Sequence, residues 1–150
     1  SGAECLATYL ASNPPLSLLS LFHNALAGAG AEALAAALPS NTHLSDLDLG
    51  DNAIRDHGAQ AIANALRKNK GVSYVRLHND KIGSEGARAI ADLVRDVYRV
   101  EEICLYGNKI GDVGMASIGV ALRDNRMLSE LSVADNGLTA ARYVLTHLAL

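Results

Sequence analysis

A step of 28 residues runs through this chain without a gap, and it constrains the fold more than any other feature. From Leu44 the step lands on Val72, Val100 and Leu128, and backward on Leu16. It also relates Leu19, Leu47, Val75, Ile103 and Leu131, and then Leu21, Leu49, Leu77, Leu105 and Val133. Asn24, Asn52, Asp80, Asn108 and Asn136 share a ninth column, and Leu26, Ile54, Ile82, Ile110 and Leu138 an eleventh. A fifteenth column holds Gly30, Gly58, Gly86 and Gly114 before breaking at Arg142. Within one period, LSDLDL suits a short strand and GDNAI a tight polar turn. In GAQAIANAL, Ala59, Ile62, Ala63 and Leu66 form one helical stripe. A strand, a turn and a helix of this size cannot bury their own apolar face, so each unit needs a copy of itself on either side.

The period divides residues 1–150 into a half repeat, 1–15, and repeats 16–43, 44–71, 72–99, 100–127 and 128–150. They form one domain, expected to belong to a longer array. Gly2, Leu6 and Leu10 match Gly30, Leu34 and Leu38, and Pro14 and Pro15 stop the first helix. Asp56, Ser84 and Asp112 share a column at the helix starts and are expected to cap their own helices. Asn13, Asn41, Asn69 and Asn125 follow the helices, as suits a residue that tolerates the left-handed conformation. Val97 replaces this Asn, which predicts that the helix of the third repeat runs on to about Tyr98. In the fifth unit Tyr143 stands where the others have Ala or Met, and Thr139 is placed to cap the helix. The ninth-column Asn is expected to tie its own turn to the next. Asp80 keeps the acceptor, lacks the donors, and predicts a local weakness.

Apolar residues make up 49% of the chain, aromatics only 4%, and Trp is absent, so small and aliphatic side chains do the packing. A net charge of −3 gives no general case for nucleic acid or membrane binding. No apolar run is long enough for a transmembrane span, and no secretion signal is visible. Cys5 and Cys104 lie in different columns about four units apart, which argues against a disulfide and for a reducing compartment.

The pattern LxxLxLxxNxI with a Gly-Ala helix resembles the leucine-rich repeat of the ribonuclease-inhibitor-like class. That class includes the Ran GTPase-activating protein and the repeat domains of NOD-like receptors and tropomodulin. The resemblance covers essentially the whole chain. It implies an α/β fold: a right-handed curved solenoid with a parallel sheet on the concave side and helices on the convex side. It also implies a cytoplasmic, intracellular protein, with a cytoskeletal setting among the possibilities, that binds other proteins. Ribonuclease inhibitor itself is cysteine-rich and alternates two repeat types, and this chain does neither.

In such a fold the outward strand positions line the concave face. The third column reads Leu18, Asp46, Tyr74, Glu102, Glu130, and the fifth Ser20, Asp48, Arg76, Cys104, Ser132. The seventh reads Phe22, Gly50, His78, Tyr106, Ala134. The candidate partner-binding set is Asp46, Asp48, Tyr74, Arg76, His78, Glu102, Cys104, Tyr106 and Glu130. Asp51, Glu101 and Asp135 add to its acidity, and Tyr74, His78 and Tyr106 are expected to form an aromatic group at its centre. Such a face fits a protein partner with a basic surface, within a larger assembly.

Cys104, His78 and Asp48 have the chemistry of an acyl-transfer triad, but an open sheet face offers neither water exclusion nor an oxyanion hole. Asp46 and Asp48 lack further converging ligands for a cation. No catalytic residue, metal site or cofactor is expected. Arg67, Arg95 and Arg123 lie where helix dipoles end, which favours positive charge there, and a basic edge for an anionic partner is the alternative reading. The reading is a non-enzymatic interaction module or scaffold. The alternatives are a GTPase-activating regulator of the Ran GTPase-activating protein type, or the ligand-sensing repeats of a NOD-like receptor.

Overall fold

The computed structural model describes residues 1–139. The readings at Arg142 and Tyr143, and the helix of the last repeat, lie outside the described residues. Helix α1 (Gly2–Ala11) is followed by four strand–helix units and a last strand. These are β1 (Leu18–Ser20), α2 (Ala27–Ala37), β2 (Asp46–Asp48), α3 (Arg55–Lys68), β3 (Tyr74–Arg76), α4 (Ser84–Asp96), β4 (Glu102–Cys104), α5 (Gly111–Leu122) and β5 (Glu130–Ser132). The five strands pair in sequence order and in parallel, each residue opposite the one 28 places on, as Leu19 is opposite Leu47 and Leu47 opposite Val75. The result is the expected α/β solenoid, its sheet on the concave side and its helices on the convex side.

The apolar columns fill the layer between. Leu44, Leu49, Ile54, Leu77, Ile82 and Leu105 are all but inaccessible, and Ile62, Leu66, Ile90, Val94 and Ile118 meet them from the helices. Each such side chain contributes roughly 1.5–3 kcal/mol by leaving water. The fifteenth-column glycines let successive helices approach. A Cβ on Gly114 would lie 2.9 Å from the Ala87 Cβ, and one on Gly58 3.0 Å from the Ala31 Cβ. At the first repeat the layer opens into a 470 Å³ groove lined by Leu6, Leu21 and Leu26.

Two polar ladders stitch the units together. In the turn ladder Asn52 accepts the amides of Asn24 and Leu26 at 2.9 and 3.0 Å. It donates to the carbonyls of Leu21 and Leu49 at 2.8 Å and of Gly50 at 3.1 Å. Asn108 and Asn136 repeat the scheme. The tie therefore runs to the preceding turn, not the following one. The turn itself needs left-handed residues at its eighth position, where His23, Asp51, Asn79, Gly107 and Asp135 all have φ between 55° and 70°. Those residue types are the ones that tolerate it.

The second ladder corrects the reading of the post-helix Asn. Asn41 and Asn69 are extended, with φ of −91° and −69°; only Asn13 is left-handed. Their side chains explain the column instead. Asn41 donates to Leu10, Asn69 to Leu38 and Asn125 to Val94, each to the carbonyl of the preceding helix end. Val97 lacks that amide but does not prolong α4, which stops at Asp96. Val97 is extended and 4% exposed, because its β-branched side chain joins the core where the chain turns inward. The Arg99 guanidinium donates in its place to Leu66 at 2.5 Å.

The capping expectation is also corrected. Asp56 and Asp112 lie inside the first turns of α3 and α5, after the apolar N-caps Ile54 and Ile110 that fill the core. Their carboxylates face the next repeat. Asp56 accepts the amides of Gly83 and Gly86, at 2.6 and 2.9 Å, at the start of α4. Gly83 is that helix's N-cap and has no side chain to do so. Asp112 accepts the amide of Thr139 at 2.9 Å and also its hydroxyl, so Thr139 donates to the preceding repeat. Ser84 makes no capping bond.

Candidate functional site

Parallel register sets the outward side chains in rows. Leu18, Asp46, Tyr74, Glu102 and Glu130 are direct cross-strand neighbours, as are Ser20, Asp48, Arg76, Cys104 and Ser132. In β2, β3 and β4 a buried residue alternates with two half-buried ones, so each strand turns its leucine-type residue inward and its polar pair outward. With strands roughly 4.8 Å apart, the rows make one continuous surface.

Its charges are not all free. Arg76 forms an ion pair with Asp46 across one strand and reaches Glu102, at 3.9 Å, across the other. It neutralises the centre of the face, and an arginine held between two carboxylates is poorly placed to reach a partner's phosphates. Asp48 accepts the Gly50 amide at 3.0 Å and the Ser20 hydroxyl at 3.2 Å, both uncharged donors. Glu130, on the edge strand, is exposed. Tyr74 donates to Glu101 at 3.3 Å. The charge of Glu101, and then that hydrogen bond, hold the Tyr74 hydroxyl above the ordinary tyrosine range, so it stays a donor.

The aromatic group differs from expectation. His78 stacks on Phe22, their ring centroids 5.5 Å apart and 22° from parallel, and Phe22 also meets His23. Gly50 makes this possible: a Cβ there would lie 2.1 Å from the His78 ring. The imidazole lies over the bare backbone of the second repeat and bridges to the first. Among the described residues, Tyr74 and Tyr106 share in no ring contact, since Tyr74 is turned to Glu101 and Tyr106 stands half out in solvent at 45% exposure. Phe22 is 50% exposed and Leu18 53%, so the apolar side of the face extends further toward the first repeat than the two tyrosines suggested. The signal was present in the seventh column, where Gly50 sits between two rings.

Cys104, His78 and Asp48 are not assembled into a triad. Cys104 is opposite Arg76, His78 is stacked on Phe22, and Asp48 is bonded to Gly50 and Ser20. Cys5 and Cys104 are both free thiols. On the convex side, Arg67 pairs with Asp96 and Arg95 with Asp92 and Asp96, so the basic column is partly neutralised. Among the described residues no helix is long and apolar enough to cross a membrane.

The leucine-rich-repeat family model matches residues 12–35, 40–63 and 78–91. No curated protein matches the sequence. Among solved structures, leiomodin-1 actin-binding site 2 superposes with a TM-score of 0.84 at 22% identity, over 95% of this chain and 84% of that one. The tropomodulin C-terminal domain from Caenorhabditis elegans gives 0.81 at 13% identity, over 99% of this chain and 89% of that one. The unbroken period, the in-register parallel sheet and these likenesses agree on the fold: the chain is a leucine-rich-repeat solenoid.

Proposed function

We propose that this chain is a protein-binding module without catalytic activity, and that its concave face takes a partner segment carrying basic and apolar side chains. The observation that carries the reading is the division of that face. The exposed rings of Phe22 and Tyr106, with the half-buried His78 between them, form a band past the strand ends, beside acidic residues Asp46, Asp48, Glu101, Glu102 and Glu130. Exposed rings of this size supply contact area at small entropic cost, and flanking acids steer a cationic partner. Tyr74 stands within the acidic row between Asp46 and Glu102, Arg76 and Cys104 stand in the next row toward the rings, and all three fix the shape of the surface more than its charge. The fold is shared with a leiomodin-1 domain described as an actin-binding site, which supports a protein partner and makes actin the first one to try.

Site-specific photocrosslinking tests this. A photoreactive residue at Glu102 or Tyr106 is expected to capture the bound partner, while one at Gln60 or Arg88 on the helices is not. Capture from the helix positions alone would reject the concave face.

A further inference from the structure

The turn ladder carries its own internal control. The carbonyls of Leu21 and Leu105 each accept two amide bonds, one from the Asn of their own turn and one from the Asn of the next. The carbonyls of Leu49 and Leu77 each accept one, from Asn52 and Asn108 respectively. Both missing bonds belong to one residue. Asp80 occupies the ladder position between them and is wholly buried. Its Oδ1 does what an Asn Oδ1 does, accepting the amides of Asn52 at 2.8 Å and Ile54 at 3.4 Å. Its Oδ2 stands where the other units place a donating nitrogen, and it is buried without a partner.

We propose that Asp80 is a proton-sensitive joint between the second and third repeats: ionised, it withholds a donor from the Leu49 and Leu77 carbonyls, and protonated on Oδ2 it gives one back. The proton comes from solvent and no other bond is made or broken. An ionised Oδ2 directed at carbonyl oxygens opposes like partial charges, so burial and geometry favour the acid in the same direction. Burial pushes the Asp80 carboxyl up to about 6, against the bonds from Asn52 and Ile54, which favour the charged form. The titratable groups acting on it are His78, two residues before it in the same turn, which lowers the value, and Asp51 on the preceding turn, which raises it. On the side of the fourth repeat it meets the uncharged Asn108, whose Oδ1 accepts the Asp80 amide. The inference does not depend on what the concave face binds.

The sign follows from linkage. Between the ordinary aspartate value, near 4, and about 6, the folded chain holds a proton that the unfolded chain has released. Stability contributed by this group is therefore full at the acid end of that window and is lost as pH rises through it, by up to about tenfold in the folding constant per pH unit.

The experiment compares wild type and Asp80→Asn in urea denaturation from pH 4.5 to 7.5, with His78→Gln and Asp51→Asn in both backgrounds. Asp80→Asn is expected to be the more stable protein at pH 7.5, with the advantage shrinking as pH falls, whether or not His78 is present. Hydrogen-exchange protection of Leu49, Asp51 and Asn52 in wild type should rise on acidification relative to that of Leu77 and Asn79. An advantage that is independent of pH, or that vanishes with His78→Gln, overturns the proposal. The Asp80 carboxyl carbon, followed by NMR in wild type, is decisive even if no variant folds: a midpoint near 6 supports the joint, and one near 4 overturns it.

Discussion

The Arg99 guanidinium donates to the carbonyl of Leu66 at the rung where Asn41, Asn69 and Asn125 use their amides on Leu10, Leu38 and Val94. The replacement is partial. The Asn oxygens also accept amides of the following strand, as Asn69 accepts Val72 at 2.8 Å, and neither Val97 nor Arg99 supplies that acceptor. Arg99 also leaves its Nε buried and unpaired. Arg99→Ala should destabilise the fold by about 1–3 kcal/mol by orphaning the Leu66 carbonyl. Arg95→Ala, on the exposed helix surface, should cost less than about 0.5 kcal/mol. Adding Val97→Asn to Arg99→Ala should recover part of the loss, because the amide then reaches Leu66. Urea midpoints for the three variants decide the matter, and equal values for Arg99→Ala and Arg95→Ala would remove Arg99 from the ladder.

The Asn52 side chain makes five hydrogen bonds from a site 1% exposed, three to the carbonyls of Leu21, Leu49 and Gly50 and two from the amides of Asn24 and Leu26. Asn52→Ala leaves several of these groups buried without partners, at about 1–3 kcal/mol for each one that water cannot reach. Gln60→Ala, on the outer face of α3, is the control. Thermal unfolding should separate the two by several degrees, and coincident transitions would place the Asn column outside the core.

The columns that repeat an apolar residue were legible because burial demands the same side chain at every step, as at Leu47, Val75 and Ile103. What was not legible concerns direction. A period says that Asp56 lies near a helix start, but not that its carboxylate turns to Gly83 and Gly86 of the next repeat. Likewise backbone preference suggests one reason for the post-helix Asn, while its side-chain bonds to the previous repeat set its identity. The loss of Asn at Val97, compensated by Arg99 from a different column, leaves no trace in any single column, whereas Gly50 and the His78 ring that covers it share one. The binding face was legible as a set of positions and not as a set of contacts, since rotamers decide that His78 meets Phe22.

Because the Asp56 cap crosses between repeats, Asp56→Ala should loosen the start of α4 and leave α3, to which it belongs, almost unchanged. The expected loss is about 1 kcal/mol, as for other N-cap removals. Hydrogen exchange locates it: the amides of Gly83 and Gly86 should lose protection while those of Gly58 and Ala59 keep theirs. The reverse pattern would return Asp56 to its own helix.

Ala53 sits at φ 53° in the turn before α3, a conformation that costs an L-residue roughly 1–2 kcal/mol and a glycine almost nothing. The corresponding place in the last repeat is Gly137, at φ 68°. Ala53→Gly should therefore stabilise the protein by about 1 kcal/mol, after allowing for the greater freedom of glycine in the unfolded chain. A lower urea midpoint would show that the Ala53 methyl packs more than it strains.

The concave face makes a kinetic prediction once a partner is in hand. Phe22 and Tyr106 are half exposed, and each can bury a large ring without first breaking an ion pair. Glu102 and Glu130 stand in the acidic row, where a single partly solvated charge contributes little to affinity but draws a basic partner in. Tyr106→Ala and Phe22→Ala should each speed dissociation and cost on the order of 2 kcal/mol. Glu102→Lys should chiefly slow association, with an effect that fades as salt rises. Arg76→Ala should give a mixed result, since it frees Asp46 and Glu102 to attract the partner while removing the side chain that holds them in place. Stopped-flow or surface-based kinetics at two salt concentrations separate these cases. If Tyr106→Ala and Phe22→Ala bind normally while Arg67→Glu or Arg95→Glu abolishes binding, the helix edge is the working surface and the concave face is only its support.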